Sequence, residues 1–412
     1  MLFLSNIKNT VLLSFLICWG CGNQAKSTKE KTTLDSETAT PLAIKPITVA
    51  ANRTAAYLPL LQGKKIAIVA NQTSVIFTEN GHAHLVDSLL ALNVNIKKVF
   101  APEHGFRGDV DAGEKVLDGT DPKTGLPLIS LYGKNRKPSQ EHLEDIDAVL
   151  FDIQDVGVRF YTYIATLQLV MEACAEKGIP VIVLDRPNPN AHYVDGPSMD
   201  AAHTGFLGMT EIPLVYGMTI GEYAQMINEE GWLENGLKAD LQVIPLENWT
   251  RNMTYHLPIR PSPNLPNDTA IHLYPSLGLF EGTNVNAGRG TEFQFQRYGA
   301  SFMDSAQYDF SYVPQPNFGS KTPKEKGKTC YGKDLSAIPR MNEVSLQWLM
   351  DAYENTTDKS KFFLTSGFTK HAGTEKLQKQ IEAGLSEAEI KATWLADLEA
   401  FKLIRAKYLR YE

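Results

Sequence analysis

Short apolar runs alternate with amphipathic segments along the chain from residue 64 onward. Four of these runs are continuous and rich in β-branched residues, which predicts buried strands at 65–70, 96–101, 148–153 and 181–184. Residues 84–92 and 162–177 carry apolar side chains at helical spacing, and Gly178 suits the end of the second helix. Buried strands that alternate with helices predict an α/β fold, with a parallel sheet covered on both faces.

The C-terminal part follows a different pattern. Proline and asparagine cluster at 260–267, where we expect the chain to leave its first domain. Beyond this cluster, helices are predicted at 342–353 and 374–383. Ser386 and Glu389 then form an S-x-x-E capping box before a last helix. The apolar face of that helix comprises Ile390, Trp394, Leu398, Phe401 and Tyr408.

Residues 1–20 have the features of a secretory signal peptide. The apolar stretch at 11–19 is far shorter than the ~20 residues that a membrane-spanning helix needs. Gly20 stands directly before Cys21, which resembles a lipoprotein processing site. We therefore predict that Cys21 is lipidated and that residues 21–45 form a flexible tether. The protein would then be an exported lipoprotein of the bacterial cell envelope, periplasmic or anchored in the outer membrane; secretion without an anchor is the alternative.

Composition narrows the class of protein further. Lys and Arg number 40 against 47 Asp and Glu, a net charge of −7, which argues against a nucleic-acid binder. The four cysteines are too few for a disulfide framework, and Cys174 falls on the apolar side of a predicted helix, where we expect a core residue. No long apolar run follows residue 20, so the body is expected to be soluble.

Candidate functional residues cluster at three successive strand ends. Ligands of open parallel sheets gather at the carboxyl ends of the strands, and carboxylates and arginines stand there in this chain. The candidates are Glu103, His104 and Arg107 after the second strand, Asp152, Asp155, Arg159 and Tyr161 around the end of the third, and Asp185, Arg186 and Asn188 after the fourth. A glycine-rich segment downstream adds Glu281, Asn284, Arg289 and Glu292.

Glu103 has the clearest potential chemistry. Pro102 and Phe106 flank it, so the carboxyl group can be partly shielded from water. A shielded carboxyl group tends to hold a proton, which it can donate to a leaving group. The alternative is a surface glutamate that pairs with Arg107 and has no catalytic role. His104 is either an acid–base group or metal ligand, or simply a hydrogen-bonded loop residue.

Familiar cofactor and metal signatures are missing from the sequence. The turn after the first strand has no glycine, and there is no Walker-type G-x-x-x-x-G-K-[ST], no G-x-S-x-G and no H-E-x-x-H motif, so NAD, ATP and zinc are not expected. Asp109 and Asp111 resemble the start of a calcium loop, but the glycine comes fifth instead of sixth and Thr120 stands at position twelve. We predict no cofactor and no metal.

Five ordered segments carry a family resemblance: EHGFRG at 103–108, DIQDVGVRFYTY at 152–163, DRPNPN at 185–190, PSPNLP at 261–266 and EGTNVNAGRGTEF at 281–293. In this order they resemble the exo-β-N-acetylmuramidases of the NamZ type, a glycoside hydrolase family long catalogued as a domain of unknown function. The likeness extends from about residue 50 to the C-terminus.

The resemblance implies a Rossmann-like catalytic domain, here 46–260, and a smaller α+β auxiliary domain, here 261–412, with the active site between them. It implies release of N-acetylmuramic acid from the non-reducing end of peptidoglycan fragments, with MurNAc–GlcNAc saccharides as substrates. The general acid proposed for the family falls on Glu103.

Glycoside hydrolysis normally uses two carboxyl groups, or one together with the acetamido group of the substrate. The candidates for the second group are Asp155, Glu292, Asp152 and Glu281. N-acetylmuramic acid also carries a lactyl carboxylate, which favours a bidentate guanidinium in the pocket. Arg289 or Arg159 is preferred over Arg107 and Arg186 for that role.

Two other functions stay open at this stage. One is a non-catalytic envelope lipoprotein that binds cell-wall sugars. The other is an esterase or amidase acting on peptidoglycan, which the lack of a recognisable triad or zinc site disfavours.

Overall fold

The computed structural model describes residues 45–108 and 117–412. The predicted signal peptide, the tether up to residue 44, Cys21 and the Asp109–Asp111 pair therefore lie outside the described residues. Lys45–Glu412 forms one compact unit, so the domain boundary expected at residue 260 stays a prediction. Within the described residues, no helix has both the length and the apolar character needed to cross a membrane.

The strands and helices follow one another as the alternating pattern indicates. The strands are β1 (Ile66–Ala70), β2 (Val75–Thr78), β3 (Gly81–His84), β4 (Ile96–Ala101), β5 (Gly119–Thr120), β6 (Pro127–Ser130), β7 (Ala148–Asp152), β8 (Val181–Leu184), β9 (Asp195–Ser198), β10 (Pro213–Val215), β11 (Leu241–Ile244), β12 (Arg297–Ala300), β13 (Phe310–Tyr312) and β14 (Cys330–Asp334). The helices are α1 (Thr54–Leu61), α2 (Leu85–Ala91), α3 (Tyr163–Lys177), α4 (Ile220–Glu229), α5 (Asp268–Leu277), α6 (Gln347–Glu354), α7 (Thr365–Ala372), α8 (Lys376–Glu382), α9 (Glu387–Ala392) and α10 (Leu395–Arg405).

A seven-stranded sheet with the order β11-β8-β7-β1-β4-β6-β5 forms the centre of the unit. Its neighbours pair in parallel except for β5 and β6 at one edge. In the central strand β1, Ile66 lies opposite Ile96 of β4 and Ala148 of β7. The predicted parallel sheet is confirmed, and the four predicted strands agree with β1, β4, β7 and β8 to within one residue at each end.

Alternating side chains of β1 enter two different apolar clusters. Ala67 and Val69 join the cluster that includes α3 and α4, whereas Ile66 and Ile68 join the one that includes α1 and α2. Both faces of the sheet are thus covered, which explains why the strand sequences are apolar at every position. Cys174 of α3 is fully buried in the first cluster, as predicted, and burial raises the pKa of its thiol to about 12.

The C-terminal part combines a three-stranded antiparallel sheet, β12-β14-β13, with the helices α6 to α10. The whole body is therefore an α/β protein with a Rossmann-like parallel sheet and a smaller α+β part. The capping box at Ser386 and Glu389 is confirmed. The single last helix was a wrong prediction, because the chain forms two helices, α9 and α10, on either side of Thr393 and Trp394.

Helix α6 begins at Gln347 instead of residue 342. The backbone N–H groups of Val344, Ser345 and Leu346 donate to side chains of distant segments, at 2.7 to 2.9 Å. These bonds hold the residues before α6 in a non-helical conformation, which no local pattern in the sequence indicates.

Candidate active site

The candidate site lies at the carboxyl ends of β1, β4 and β7, where the strand order of the sheet reverses. From β1 the chain continues outward through β4 and β6 on one side, and later through β7, β8 and β11 on the other. Loops that follow adjacent strands diverge at such a point and leave a crevice. Residues 102–108 and 153–162 form two of its walls, and residues 261–295 of the C-terminal half face them.

Two adjoining cavities occupy this crevice. The larger one, which we call the cleft, has a volume of about 550 Å³, within the range of about 300–1,000 Å³ usual for small-molecule sites. The smaller one, the recess, opens beside it. The two share Glu103, Phe160, Thr162, Tyr274 and Arg289.

Glu103 follows β4 directly and is half-buried at the boundary of the cleft and the recess. Tyr132 Oη donates to Glu103 Oε1 at 3.1 Å, and Thr162 Oγ1 donates to Glu103 Oε2 at 3.5 Å. Burial and the charge of Glu103 raise the pKa of the Tyr132 phenol, so that phenol stays a hydrogen-bond donor at neutral pH. The two donors fix the orientation of the carboxyl group towards the cavities.

Arg107 does not pair with Glu103, so the interpretation of Glu103 as a partner of Arg107 is wrong. The guanidinium of Arg107 donates to Asp87 at 3.0 Å and to Asp121 at 2.7 Å. Arg107, Asp87 and Asp121 line neither the cleft nor the recess. Arg107 therefore stabilises the loop beside the site and takes no part in its lining.

His104 and Tyr161 line the recess and connect the two halves of the chain. The His104 ring Nε2 hydrogen-bonds with Ser262 Oγ at 3.1 Å, and Tyr161 Oη donates to the carbonyl of Pro261 at 2.6 Å. Both bonds lead to the PSPNLP segment. The segment is thereby held against the ends of β4 and β7, which closes one side of the recess.

Asp152 and Arg186 form a buried ion pair below the crevice. Arg186 donates to both carboxylate oxygens of Asp152, at 2.6 and 2.7 Å, and to the carbonyl of Val75 at 3.0 Å. Neither side chain lines the cleft or the recess. The pair joins the ends of β7 and β8, so these predicted site residues have a structural place in the molecule.

Asp155 shapes the loop after β7 from inside the protein. Its Oδ2 accepts hydrogen bonds from Tyr216 Oη and from the backbone N–H of Gly157, and burial raises its pKa to about 6. Gly157 has φ +75°, and a Cβ atom there would lie only 2.3 Å from the Asn188 amide nitrogen. Glycine is therefore required where this loop passes Asn188.

Asp185 and Asn188 also face the interior. Asp185 accepts from Thr219 Oγ1 at 2.8 Å and from Tyr411 Oη at 2.6 Å, and burial raises its pKa to about 6. Asn188 donates to the carbonyl of Met218 at 2.8 Å. Both hold neighbouring loops in place, outside the lining of the two cavities.

Arg159 is 1% exposed, and its terminal nitrogens donate to four backbone carbonyls. These belong to Pro197 at 2.7 Å, Ile212 at 2.8 Å, Ala372 at 2.7 Å and His371 at 3.2 Å. Burial lowers the pKa of Arg159 to about 9. The expectation that Arg159 binds the lactyl carboxylate does not hold, because the side chain is buried and both terminal nitrogens already donate to backbone carbonyls.

Arg289 faces both cavities and is held by Glu281. Arg289 Nε donates to Glu281 Oε1 at 3.1 Å, and the guanidinium carbon lies 5.3 Å from the centre of the Phe295 ring. Within the part of the chain that the structure describes, no acceptor bonds the two terminal nitrogens of Arg289. This is the geometry of a guanidinium that offers two parallel donors to a planar anion.

Glu281 is ionised although its carboxyl group is largely buried. Burial by itself would raise the pKa of Glu281, but the charges of Arg289 and Lys324 outweigh it and leave the pKa below its ordinary value. Lys324 Nζ also donates to the carbonyls of Phe280, Glu281 and Thr283, at 2.6 to 3.0 Å. Lys324 therefore holds the backbone around Glu281 in place and also helps to keep its carboxyl group ionised.

The remaining candidates from the glycine-rich segment lie elsewhere. Glu292 is exposed and lines neither cavity. Asn284 donates to the carbonyl of Lys361 at 2.6 Å, away from the cleft. Of the carboxylates proposed as the second catalytic group, Glu281 alone lines the cleft with Glu103 among the described residues.

Sequence reasoning missed several residues of the cleft lining: Tyr132, Arg136, His203, Phe206, Tyr274, Lys370 and His371. Tyr132 follows β6, a short and partly exposed strand that the apolar pattern does not reveal. Tyr274 and His371 belong to α5 and α7, and only tertiary packing brings them to Glu103. His371 Nδ1 lies 2.8 Å from the Gly367 carbonyl, and its ring lies 5.4 Å from that of Phe160.

Comparison with known proteins assigns the two parts of the chain. Residues 66–269 match the family model "Exo-beta-N-acetylmuramidase NamZ, N-terminal", and residues 272–411 match "Exo-beta-N-acetylmuramidase NamZ, C-terminal". The chain is 38% identical over 375 residues to the peptidoglycan beta-N-acetylmuramidase NamZ of Bacillus subtilis (strain 168), covering 86% of this chain and 89% of the relative.

Two crystal structures of DUF1343 family proteins from Bacteroides fragilis NCTC 9343 are similar to the whole described body. One has a TM-score of 0.81 at 43% identity, and the other has a TM-score of 0.75 at 28% identity. Each comparison covers 89% of this chain and 99% of the other protein.

Proposed function

Because this chain belongs to the NamZ family of exo-β-N-acetylmuramidases, we propose that it is a glycoside hydrolase that releases N-acetylmuramic acid from the non-reducing end of peptidoglycan fragments. One structural observation supports the proposal independently of the family assignment. A half-buried carboxyl group, Glu103, shares a cleft with a guanidinium, Arg289, that has two available donors. These are the groups that cleavage and recognition of N-acetylmuramic acid require.

In this proposal Glu103 is the general acid. Its protonated carboxyl group transfers the proton to the glycosidic oxygen while the bond from that oxygen to the anomeric carbon breaks, and the electron pair leaves with the departing sugar. Tyr132 and Thr162 keep the group in one orientation. Positive charge develops on the terminal sugar, where a nearby carboxylate stabilises it. A water molecule then forms the new bond to the anomeric carbon and gives up one proton to a carboxylate of the site, which completes the hydrolysis.

Glu281 is the best placed of the described residues for the second carboxyl group. It lines the same cleft as Glu103 and stays ionised through its contacts with Arg289 and Lys324. Asp152 and Asp155 are sealed beneath the loops, and Glu292 points away from the cleft lining. We assign to Glu281 both the positioning of Arg289 and the stabilisation of charge on the sugar.

Arg289 is the residue that we assign to the lactyl carboxylate. Glu281 takes up Nε, which sets the plane of the guanidinium and leaves the terminal nitrogens for the substrate. A bidentate pair of this kind selects a planar carboxylate as well as attracting its charge. N-acetylglucosamine has no such group, so Arg289 distinguishes the two sugars of peptidoglycan.

Product analysis with a MurNAc–GlcNAc disaccharide tests the proposal. We expect mass spectrometry to detect free N-acetylmuramic acid, and we expect Glu103→Gln to lose most of this activity. Binding of the disaccharide without turnover would identify a sugar-binding lipoprotein instead. Release of a peptide or an acyl group from intact muropeptides, with the glycosidic bond unbroken, would identify an amidase or esterase.

We also propose that the protein is exported and anchored to an envelope membrane through Cys21. The support is the apolar stretch at 11–19 followed by Gly20 and Cys21. Metabolic labelling with a fatty acid, followed by membrane fractionation, tests this. The wild-type protein is expected to carry the fatty-acid label and to appear in the membrane fraction. Cys21→Ala is expected to carry no label and to be absent from that fraction; label on the variant would refute the anchor.

A further inference from the structure

A third cavity, which we call the basin, adjoins the cleft on the side away from the recess. Its volume is about 440 Å³, and its lining includes Lys134, Arg136, Lys137, Leu169, Phe206 and Met209. Arg136 and Phe206 line the cleft as well, together with the neighbouring backbone of Thr204 and Gly205. The cleft and the basin therefore form a continuous path, with Phe206 at their junction.

The position of Phe206 is fixed by a tight hairpin. The backbone N–H groups of Gly205 and Gly208 each donate to the carbonyl of the other, at 3.0 and 2.9 Å. Gly208 rests on the buried Arg159, because a Cβ atom at Gly208 would lie 2.9 Å from Arg159 Cδ. The guanidinium carbon of Arg136 lies 4.2 Å from the centre of the Phe206 ring. Arg136 thus covers one face of the ring, which leaves the other face as the surface on which a sugar ring can stack.

The basin carries uncompensated positive charge. Lys137 is paired with Glu176 at 2.7 Å and with Glu234 at 3.0 Å. Lys134 and Arg136, in contrast, form no ion pair with a carboxylate among the described residues. Two adjacent cations in a protein of net charge −7 favour an anionic group at this place.

The chemistry of the substrate supplies such an anion. The cleft takes the terminal N-acetylmuramic acid, so the leaving part of the glycan extends out of the cleft past Glu103. In a chain of alternating sugars, the first leaving residue is N-acetylglucosamine and the second is another N-acetylmuramic acid, whose lactyl group is again a carboxylate. The aromatic ring at the junction of the two cavities and the positive charge of the basin thus suit a sugar ring on Phe206 followed by an anion at Lys134 and Arg136.

We infer that the basin binds the leaving part of longer glycans, with Phe206 under the first leaving sugar and with Lys134 and Arg136 at the carboxylate of the second. This inference rests on the proposed function of the cleft. It makes the protein an enzyme for glycan chains that prefers a MurNAc–GlcNAc–MurNAc–GlcNAc tetrasaccharide to the disaccharide. The preference depends on exposed charges, so it weakens as the salt concentration rises.

The test is the ratio of kcat/KM for the tetrasaccharide to kcat/KM for the disaccharide, measured by release of the first N-acetylmuramic acid. A hydrogen bond to a charged group is worth about a factor of ten, so we expect a wild-type ratio of roughly ten or more. Lys134→Glu reverses one of the two charges and is expected to bring the ratio close to one. In 0.5 M salt the wild-type ratio is expected to fall towards that of the variant.

Lys97→Gln is the matched control, because Lys97 is an exposed lysine near the start of β4, at the end of the strand opposite to the candidate site. It should keep the wild-type ratio. A wild-type ratio of one or less, with the disaccharide still cleaved, overturns the basin and leaves the proposed function intact. A Lys134→Glu ratio equal to that of the wild type also overturns it. No release from either substrate overturns the proposed function, and the basin with it.

Discussion

Replacing Arg289 with alanine tests the recognition of the substrate most directly. The Arg289 side chain is 24% exposed, so its two terminal nitrogens act in a largely desolvated place. Each hydrogen bond between charged groups contributes about 1.5–3 kcal/mol, and truncating one partner of a buried charged pair costs about 2–5 kcal/mol. We therefore expect Arg289→Ala to lose about 3 kcal/mol of transition-state stabilisation on N-acetylmuramic acid substrates, roughly a hundredfold in kcat/KM.

The same substitution also takes away the partner of Glu281. Lys324 and His371 would then be left to oppose the effect of burial on the Glu281 carboxyl group, so its pKa would rise. That effect acts on every substrate alike, and it cancels when two substrates are compared. The informative quantity is thus the ratio of kcat/KM for an aryl β-N-acetylmuraminide to kcat/KM for the matching β-N-acetylglucosaminide.

We expect Arg289→Ala to lower this ratio about a hundredfold. Arg289→Lys should lower it less, because a lysine keeps the charge but loses the bidentate geometry. Arg107→Ala is the control: this arginine is close to Glu103 in sequence but binds Asp87 and Asp121, so the ratio should not change. Equal losses of Arg289→Ala on both substrates would refute the role of Arg289 in binding the carboxylate.

Three further predictions concern the acid, the buried supports and pH. Glu103→Gln should lower kcat on the disaccharide by about 10²–10⁴ without changing the thermal midpoint, and near-normal turnover would disprove the acid assignment. Arg186→Met should leave Asp152 buried without its partner, costing about 3–5 kcal/mol in urea unfolding; a loss below 1 kcal/mol would contradict this. Burial raises the pKa of Asp155 in the folded state to about 6, so between about pH 4 and pH 6 the folded state binds one proton more than the unfolded state. The free energy of unfolding therefore falls as the pH rises through this range, by about 3 kcal/mol for this group. Asp155→Asn should flatten that part of the stability profile, and parallel profiles for the two proteins would show that Asp155 is not responsible.

The sheet could be predicted from the sequence because burial on both faces leaves a direct trace, which is a continuous β-branched run. The end of β4 was equally informative, since Glu103 and His104 follow it and both line the cavities. The carboxylates Asp152, Asp155 and Asp185 misled the prediction for a physical reason. Parallel strand ends need acceptors for the N–H and O–H groups of their loops, and a carboxylate that serves this purpose has the same sequence signature as a catalytic one.

Other parts of the site have no local signal at all. Tyr274 and His371 are ordinary helix residues until packing places them beside Phe160. Phe206 stands in a short Gly-Phe-Leu-Gly segment at 205–208, and only the hairpin defines where its ring lies. The bidentate partner for the lactyl carboxylate stays a prediction, and the choice between Arg159 and Arg289 for that role depends on burial, which the sequence does not reveal.

The environment of Arg159 also has a mechanical consequence. A guanidinium is rigid and planar, so the four carbonyls that it binds are held at fixed separations. They include those of His371 and Ala372, while Phe160 follows Arg159 directly in the chain, so two neighbouring residues of the cleft lining, Phe160 and His371, are held by one cation. A site held in this way does not need a closing movement of domains or loops to bind its ligand. We expect the width of the cleft to be the same with and without bound sugar. Selection among glycan ends would then depend on how well each one fits the preformed cleft.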